Sequence, residues 1–307
     1  MLSTIERELS TVIPTGNTLI SVGMFDGMHI GHQALINQLV NRARAQKTPS
    51  IVITFKQHPS ALLSPQNMAQ SIISLDERIK LLKKQEIDYV LALTFSPELA
   101  ALGAEAFVQL LMRHLLMQGM VLGWDFALGH HREGSLDTLC SLGRRLGFST
   151  EVVAPVKYQS YIVSSTAIRQ LLATGDIATA NAMLGRPFCL EGKVINGDGR
   201  GRELGFPTAN LIFDRQQVLP ADGVYAAKAI LDDCIKPSAV FIGTRPTFGG
   251  KERIVEPHIL DFERDIYNQK LKLAIIERLR EEEKFPDAAS LKKQIETDIL
   301  QVQRLLA

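Results

Sequence analysis

Two histidines three positions apart, His29 and His32, stand in the run Gly23-Met24-Phe25-Asp26-Gly27-Met28-His29-Ile30-Gly31-His32. An apolar stretch, Leu19–Val22, precedes the run, and a helical pattern of Ala34, Leu35, Leu39 and Val40 follows it. That order predicts a strand, a tight glycine turn and a helix. A helix start leaves backbone N–H groups unpaired and carries the positive end of the dipole, so it favours a phosphate. Two imidazoles at that place can donate to phosphate oxygens as charge builds on them during transfer. Gly31, with no side chain, lets the backbone approach the ligand. Taken alone, His-x-Gly-His is also open to two plainer readings: hydrogen-bonded surface residues, or half of a metal site. Its place at the end of a first strand, after Phe25-Asp26-Gly27, favours phosphate handling.

Two further stretches carry similar chemistry. In Val163-Ser164-Ser165-Thr166-Ala167-Ile168-Arg169, Ser164 or Ser165 suits a helix N-cap. A capped helix start with hydroxyls, and Arg169 one turn along, makes a phosphate cradle. The run from Gly192 to Arg202 is glycine-rich, and Gly197 and Gly199 allow backbone N–H groups to approach phosphates. A flexible surface loop is the plainer reading of those glycines. Glu203-Leu204-Gly205-Phe206-Pro207-Thr208-Ala209-Asn210 comes next. On a strand, Thr208 and Asn210 face one side, where their oxygens suit Mg²⁺ beside nucleotide phosphates. A strand-edge hydrogen bond is the alternative for that pair.

The elements that position these residues fall into two regimes. Up to about residue 155, strands alternate with helices: Leu19–Val22, helix His32–Ala45, Ile51–Phe55, helix Asp76–Gln85, Tyr89–Leu93, helix Ala104–Met117, Met120–Gly123, helix Leu136–Leu146 and Thr150–Pro155. Ile51-Val52-Ile53-Thr54-Phe55 is apolar on both faces, as a buried parallel strand should be. The alternation predicts an α/β fold with a doubly wound parallel sheet, whose ligands bind at the carboxyl ends of the strands. After Gly185-Arg186-Pro187 the helical period fades. Six short strands are expected at Phe188–Ile195, Thr208–Phe213, Val224–Leu231, Ala239–Ile242, Val255–Phe262 and Leu271–Ile276, which suggests an antiparallel six-stranded barrel. Leu291, Ile295, Ile299, Val302 and Leu306 form one stripe of a C-terminal helix that packs on it. The expected domains are therefore 1–185 and 186–307.

Composition narrows the classes. The chain has 307 residues, 46% hydrophobic and 22% charged, with a net charge of +1, an ordinary globular profile. Fifteen basic and fourteen acidic residues precede Gly185 and nineteen of each follow, so neither half carries the basic excess that nucleic acid demands. Cys140, Cys189 and Cys234 are widely spaced, without a Cys-x-x-Cys pair, which speaks against redox or zinc chemistry and for a reducing compartment. No apolar run is long enough for a membrane span, and no signal peptide is read at the N-terminus. A cytoplasmic protein with small-molecule partners is expected; the oligomeric state is left open.

The first stretch resembles the His-x-Gly-His motif of the nucleotidyltransferase superfamily, and in its longer form that of bacterial bifunctional riboflavin kinase/FAD synthetases. Other segments carry the same resemblance. Ile53-Thr54-Phe55-Lys56-Gln57-His58-Pro59 resembles the family's Thr-Phe-x-x-His-Pro, and Val163–Arg169 its Ser-Ser-Thr-x-Ile-Arg. Gly123-Trp124-Asp125-Phe126-Ala127-Leu128-Gly129 is similar to the family segment that lines the nucleotide and flavin site, with Leu128 in place of an aromatic. Gly205–Asn210 matches the riboflavin kinase motif at every position, and Ile242–Phe248 and Val255–Phe262 resemble later ones. Pro257 and Asn268 depart from the family pattern.

The resemblance implies a Rossmann-like adenylyltransferase module followed by a kinase barrel. By it, His29, His32 and Arg169 act in adenylyl transfer. Gly23, Phe25, Asp26, Gly31, Asp125, Ser164, Ser165 and Thr166 would bind nucleotide there, and Gly197 and Gly199 would do so in the barrel. Thr208 and Asn210 would hold Mg²⁺, and Glu256 would take a proton from the riboflavin ribityl hydroxyl. ATP, riboflavin and FMN are the implied substrates. Two alternatives stay open: one surviving activity, or a non-catalytic flavin carrier.

Overall fold

The computed structural model describes residues 3–64, 66, 68–129, 133–196, 201, 205–247 and 250–306. It divides into two compact units, Met1–Ser165 and Thr166–Ala307.

The first unit opens with α1 (Thr4–Leu9), followed by β1 (Thr18–Val22), α2 (Ile30–Gln46), β2 (Ser50–Phe55), α3 (Ser60–Leu63), α4 (Leu75–Lys83) and β3 (Tyr89–Leu93). It continues through α5 (Pro97–Ala100), α6 (Ala104–Leu115), β4 (Met117–Gly123), α7 (Leu136–Leu146), β5 (Ser149–Val153) and the small hairpin of β6 (Lys157–Tyr158) and β7 (Tyr161–Ile162). The strands form one parallel sheet in the order β3-β2-β1-β4-β5. Every residue of β1 is buried, as expected of a central strand covered on both faces. Sequence order reverses across β1, so the turn that follows it sits at the topological switch point.

Several element ends of this unit shift by one to three residues from the expectation, most at the α6–β4 boundary. Helix α6 ends at Leu115 rather than Met117, and β4 begins at Met117 rather than Met120. Leu116 turns the chain in the left-handed region, with φ 51°. The Thr18 N–H donates to its carbonyl at 3.0 Å, and the Thr18 hydroxyl to that of Leu115 at 2.7 Å. The apolar run Leu115-Leu116-Met117 satisfies either period, and no glycine marks the break.

The second unit takes all but the first residue of α8 (Ser165–Thr174), then α9 (Ile177–Leu184), β8 (Phe188–Ile195), β9 (Asn210–Phe213), β10 (Gly223–Ile230), β11 (Ile235–Thr247), β12 (Gly250–Ile259), β13 (Lys270–Arg280) and α10 (Ala288–Leu306). The strands run antiparallel in the order β12-β11-β10-β13-β8-β9. The Ala209 N–H donates to the Pro257 carbonyl at 2.9 Å, and His258 Nδ1 bonds the Pro207 carbonyl at 2.8 Å. These bonds bring the two end strands together and nearly close a six-stranded barrel. Ile299, Val302 and Leu306 of α10 pack against Ala226, Ala239 and Leu260, and Arg280 clamps the buried Asp298 through Nε and Nη2.

Strands β11, β12 and β13 are longer than their apolar runs: the ladder with β10 continues through Lys236, Pro237 and Ser238 of β11 and through Glu277, Arg278 and Arg280 of β13. Strand β12 stops at Ile259, short of Phe262, and Asp261 turns with φ 51°. Strand β9 begins at Asn210, so Thr208 lies ahead of the strand rather than on it. Pro207 has no N–H to give a ladder there. Helices α8 and α9 dock on the barrel: the Ala221 N–H bonds the Leu172 carbonyl at 2.9 Å, and the Asn181 amide bonds the Ile275 carbonyl at 3.0 Å.

Candidate active sites

The turn after β1 is tightly wound. Phe25, Gly27 and Met28 all have positive φ, at 50°, 80° and 42°. For side chains as bulky as Phe and Met this is a costly backbone, held here by burying both side chains: Phe25 and Met28 are each 1% exposed. Gly23 leaves room for the Phe25 ring, since a Cβ there would lie 3.1 Å from it. The buried Asp26 carboxylate accepts from the Ile72 N–H at 3.0 and 3.1 Å and from the Ile73 N–H at 3.3 Å. Its carbonyl accepts the Ser165 hydroxyl at 2.8 Å. Within the first unit, Ser165 of the second phosphate motif therefore meets the turn of the first, through a bond that no local pattern in the sequence marks. Ser165 is the first residue of α8, which leaves Ser164 at the cap position. Thr166 and Arg169 follow on the same helix, Thr166 exposed and Arg169 half-buried.

His29 is the N-cap of α2, and its Nδ1 accepts the His32 N–H at 3.2 Å. An accepting Nδ1 places the proton of the neutral ring on Nε2, an assignment inferred from that bond. Gly31 makes this geometry fit: a Cβ there would lie 3.1 Å from His29 Nδ1 and 3.2 Å from Cε1. The His29 and His32 rings stack with centroids 3.6 Å apart and planes 16° apart, and Phe25 meets His32 edge-on at 5.3 Å. His32 keeps some accessible surface, yet its Nδ1 is buried with no hydrogen-bond partner among the described residues. Burial holds His32 well below its ordinary pKa, and the neighbouring His29 and Arg78 push it the same way.

Arg78, on α4, escaped the sequence reading. Nη1 donates to the Met24 carbonyl at 2.8 Å and Nη2 to the Phe55 carbonyl at 2.7 Å, which ties the ends of β1 and β2. Burial lowers its pKa while the Asp26 carboxylate opposes the shift. Nothing in the run Leu75–Lys83 marks this arginine, since a charge in an amphipathic helix normally reads as a solvated face.

Beside this turn lies an apolar cavity of about 440 Å³, walled by Val22, Phe55, Phe95, Phe107, Phe126 and Leu128 among others. Leu128 thus takes part in the wall although it lacks a ring. Asp125, at the end of β4, is exposed, and a Cβ on Gly123 would lie 3.4 Å from its Oδ1.

The barrel carries its own cavity, of about 550 Å³. Thr208 lines it; Asn210 and Glu256 flank two other lining residues, Ala209 and Pro257. The Ala209–Pro257 bond sets the Thr208–Asn210 segment alongside the Glu256 strand. Pro257 is accommodated simply. Its carbonyl faces β9, so its missing N–H also faces that seam and costs no bond to β11. Asn268 has φ 64°, a left-handed position that Asn tolerates better than other side-chain-bearing residues. Gly197 and Gly199 lie outside the described residues.

A parallel sheet with a histidine-capped turn at its switch point, followed in one chain by a small antiparallel barrel with its own cavity, makes a two-module protein of the nucleotide-binding α/β class. Comparison with known proteins makes this specific. A family model described as FAD synthetase matches residues 14–167, and one described as riboflavin kinase matches residues 184–306. The chain is 36% identical over 289 residues to the bifunctional riboflavin kinase/FMN adenylyltransferase of Escherichia coli K12, covering 94% of this chain and 92% of that one. It is 35% identical over 286 residues to the Haemophilus influenzae protein of the same name, covering 91% of each. A solved Streptococcus pneumoniae structure, described as a macrolide-efflux protein, matches 96% of both chains with TM-score 0.88 and 29% identity. The chain belongs to the bifunctional riboflavin kinase/FMN adenylyltransferase family. Riboflavin, FMN and ATP are the substrates that fit the two activities. Among the described residues, no helix is long and apolar enough to cross a membrane.

Proposed function

We propose that residues 1–185 transfer the adenylyl group of ATP to FMN, and that residues 186–307 phosphorylate riboflavin. In the first reaction an FMN phosphate oxygen bonds the α-phosphorus of ATP as the bond to the β-phosphate oxygen breaks, and pyrophosphate leaves. The observation that carries this reading is the Ser165–Asp26 bond, which ties Ser165 of the second phosphate motif to the turn that precedes the histidine-capped helix. His29, held with its proton on Nε2, and His32 beside it stabilise charge on the transferring group. The N–H groups at the start of α2 add to this, with Ser164, Ser165, Thr166 and Arg169 binding phosphate. Gly23, Phe25, Asp26 and Gly31 shape the turn that presents them, and Asp125 binds nucleotide at the end of β4. The aromatic-walled cavity takes the isoalloxazine ring.

In the barrel, Glu256 takes the proton of the ribityl hydroxyl as that oxygen bonds the γ-phosphorus of ATP and ADP leaves. Thr208 and Asn210 offer oxygen donors of the hard type that suits Mg²⁺, held mainly through substrate and water. When bound, Mg²⁺ neutralises phosphate charge. Gly197 and Gly199 would cradle the phosphates. The chain acts on small molecules, in the cytoplasm and without nucleic acid.

The test is incubation with riboflavin, ATP and Mg²⁺ and separation of the flavins over time. FMN should appear first, then FAD with stoichiometric pyrophosphate. FMN alone would leave the first unit inactive, and bound but unaltered riboflavin would make the chain a carrier.

A further inference from the structure

Helix α1 ends ahead of residue 14, where the FAD synthetase match begins. Ser3 and Glu6 close a capping box on it, and Ile5 and Leu9 are buried in one core with Leu91, Leu93 and Phe107. The helix thereby carries Glu8 to the carboxyl ends of β2 and β3. There Glu8 Oε2 accepts the Thr94 N–H at 2.8 Å, while Oε1 accepts the Thr94 hydroxyl at 2.6 Å and the Lys56 ammonium at 2.8 Å. Burial alone would raise the Glu8 pKa, but the bonds from Lys56 and Thr94 prevail and hold it below the ordinary value. Lys56 follows Phe55, and Thr94 precedes Phe95. Those two rings meet edge to face, 5.6 Å between centroids and 88° between planes, and both wall the 440 Å³ cavity. One carboxylate therefore holds the chain neighbours of both rings.

We propose that Glu8 is a positioning residue for FMN: by fixing the ends of β2 and β3 it sets the Phe55–Phe95 wall against which the flavin ring packs. The proposal rests on the assignment of that cavity to FMN. The last backbone bond between these strand ends runs from the Lys56 N–H to the Leu93 carbonyl at 2.8 Å, so Thr94 lies beyond the ladder. Without the carboxylate its buried-side N–H and hydroxyl lose their acceptor, and the segment bearing Phe95 is freed to move. Glu8 touches neither the phosphate turn nor the helix start of α2, so its effect falls on flavin affinity and not on ATP or on the chemical step.

Steady-state conversion of FMN to FAD by the full chain tests this, with riboflavin phosphorylation on the same samples as the check of integrity. Glu8→Ala should raise KM for FMN about tenfold, with kcat and KM for ATP changed by no more than about twofold. Glu8→Gln, which keeps the shape and one carbonyl oxygen, should fall between the variant and the parent. Phe95→Ala should raise KM for FMN as well, and adding Glu8→Ala to it should cost little more, since both act through one wall. If Phe95→Ala weakens FMN while Glu8→Ala does not, the role of Glu8 is overturned and the cavity assignment stands. If neither does, both fall. A parallel loss of kcat and of both affinities in Glu8→Ala would make Glu8 merely structural. Should Glu8→Ala fail to fold, Glu8→Gln and Thr94→Val carry the same comparison.

Discussion

His29 Nδ1 accepts the backbone N–H of His32, so the first histidine of the motif is the helix cap as well as a candidate phosphate donor. The two roles use opposite nitrogens of one ring. A cap that accepts at Nδ1 fixes the donor at Nε2, and Gly31 clears the space in which the ring sits.

The roles separate by substitution. His29→Ala removes both, and should lower FAD synthesis about a hundred- to a thousand-fold, the usual cost of one preorganised donor. His29→Asn restores a good capping acceptor, worth about 0.5–2 kcal/mol of stability, without restoring the donor. Thermal unfolding should therefore recover in the Asn variant while turnover stays low, and riboflavin phosphorylation should persist in both. Recovery of turnover in His29→Asn would reduce the histidine to a cap.

Gly31→Ala offers a second separation. Alanine is the better helix former by about 1 kcal/mol, yet its Cβ would press on the His29 ring. FAD synthesis should fall without a matching loss of unfolding temperature. Unchanged turnover would mean that the ring yields at no cost to catalysis.

His32 gives a pH dependence. Its folded pKa is depressed, so between that value and the ordinary 6.5 the unfolded chain binds more protons than the folded one. Stability from this group is complete above pH 6.5 and declines as pH falls through and below it, at up to about 1.4 kcal/mol per pH unit. Denaturant unfolding of the chain and of His32→Gln between pH 8 and pH 5 should give curves that converge toward acid. Parallel curves would show that His32 does not titrate with folding.

The barrel residues predict a selective defect. Glu256→Gln should depress kinase turnover about a hundred- to ten-thousand-fold while riboflavin still binds. Asn210→Ala should abolish FMN formation and leave FMN-to-FAD conversion nearly intact. Equal loss of both activities in a folded protein would assign these residues to structure, and near-normal turnover in Glu256→Gln would remove it from the mechanism.

The histidine turn was legible because strand, glycines and helix adjoin in sequence and each has a local signature. Arg78 and Glu8 were not, for a common reason. Their partners are backbone groups at strand ends far along the chain, such as Phe55 for Arg78 and Thr94 for Glu8. A single charged residue on a helix carries no trace of such a bond. The six-residue α1 is too short to show a period, and its burial of Leu9 depends on packing that no local pattern reports. In the barrel, strand existence was legible and strand extent was not, because the ladder runs on through stretches such as Lys236-Pro237-Ser238 that show no apolar alternation. The positive φ of Asn268 follows the local logic of a residue type, since Asn tolerates the left-handed region better than most side chains.

The Ser165–Asp26 bond has a consequence for biosynthesis. It spans a sequence separation of 139 residues, so the first turn, among the earliest segments to leave the ribosome, acquires its partner only when nearly the whole of the first unit has been made. The parallel strands β1, β2 and β3 can pair before that moment, but β4 and the start of α8 must arrive before the turn is held on both sides. Nascent chains released short of Ser165 should therefore carry a formed half-sheet with an unfinished nucleotide turn, and FAD-forming capacity should emerge late and abruptly with chain length.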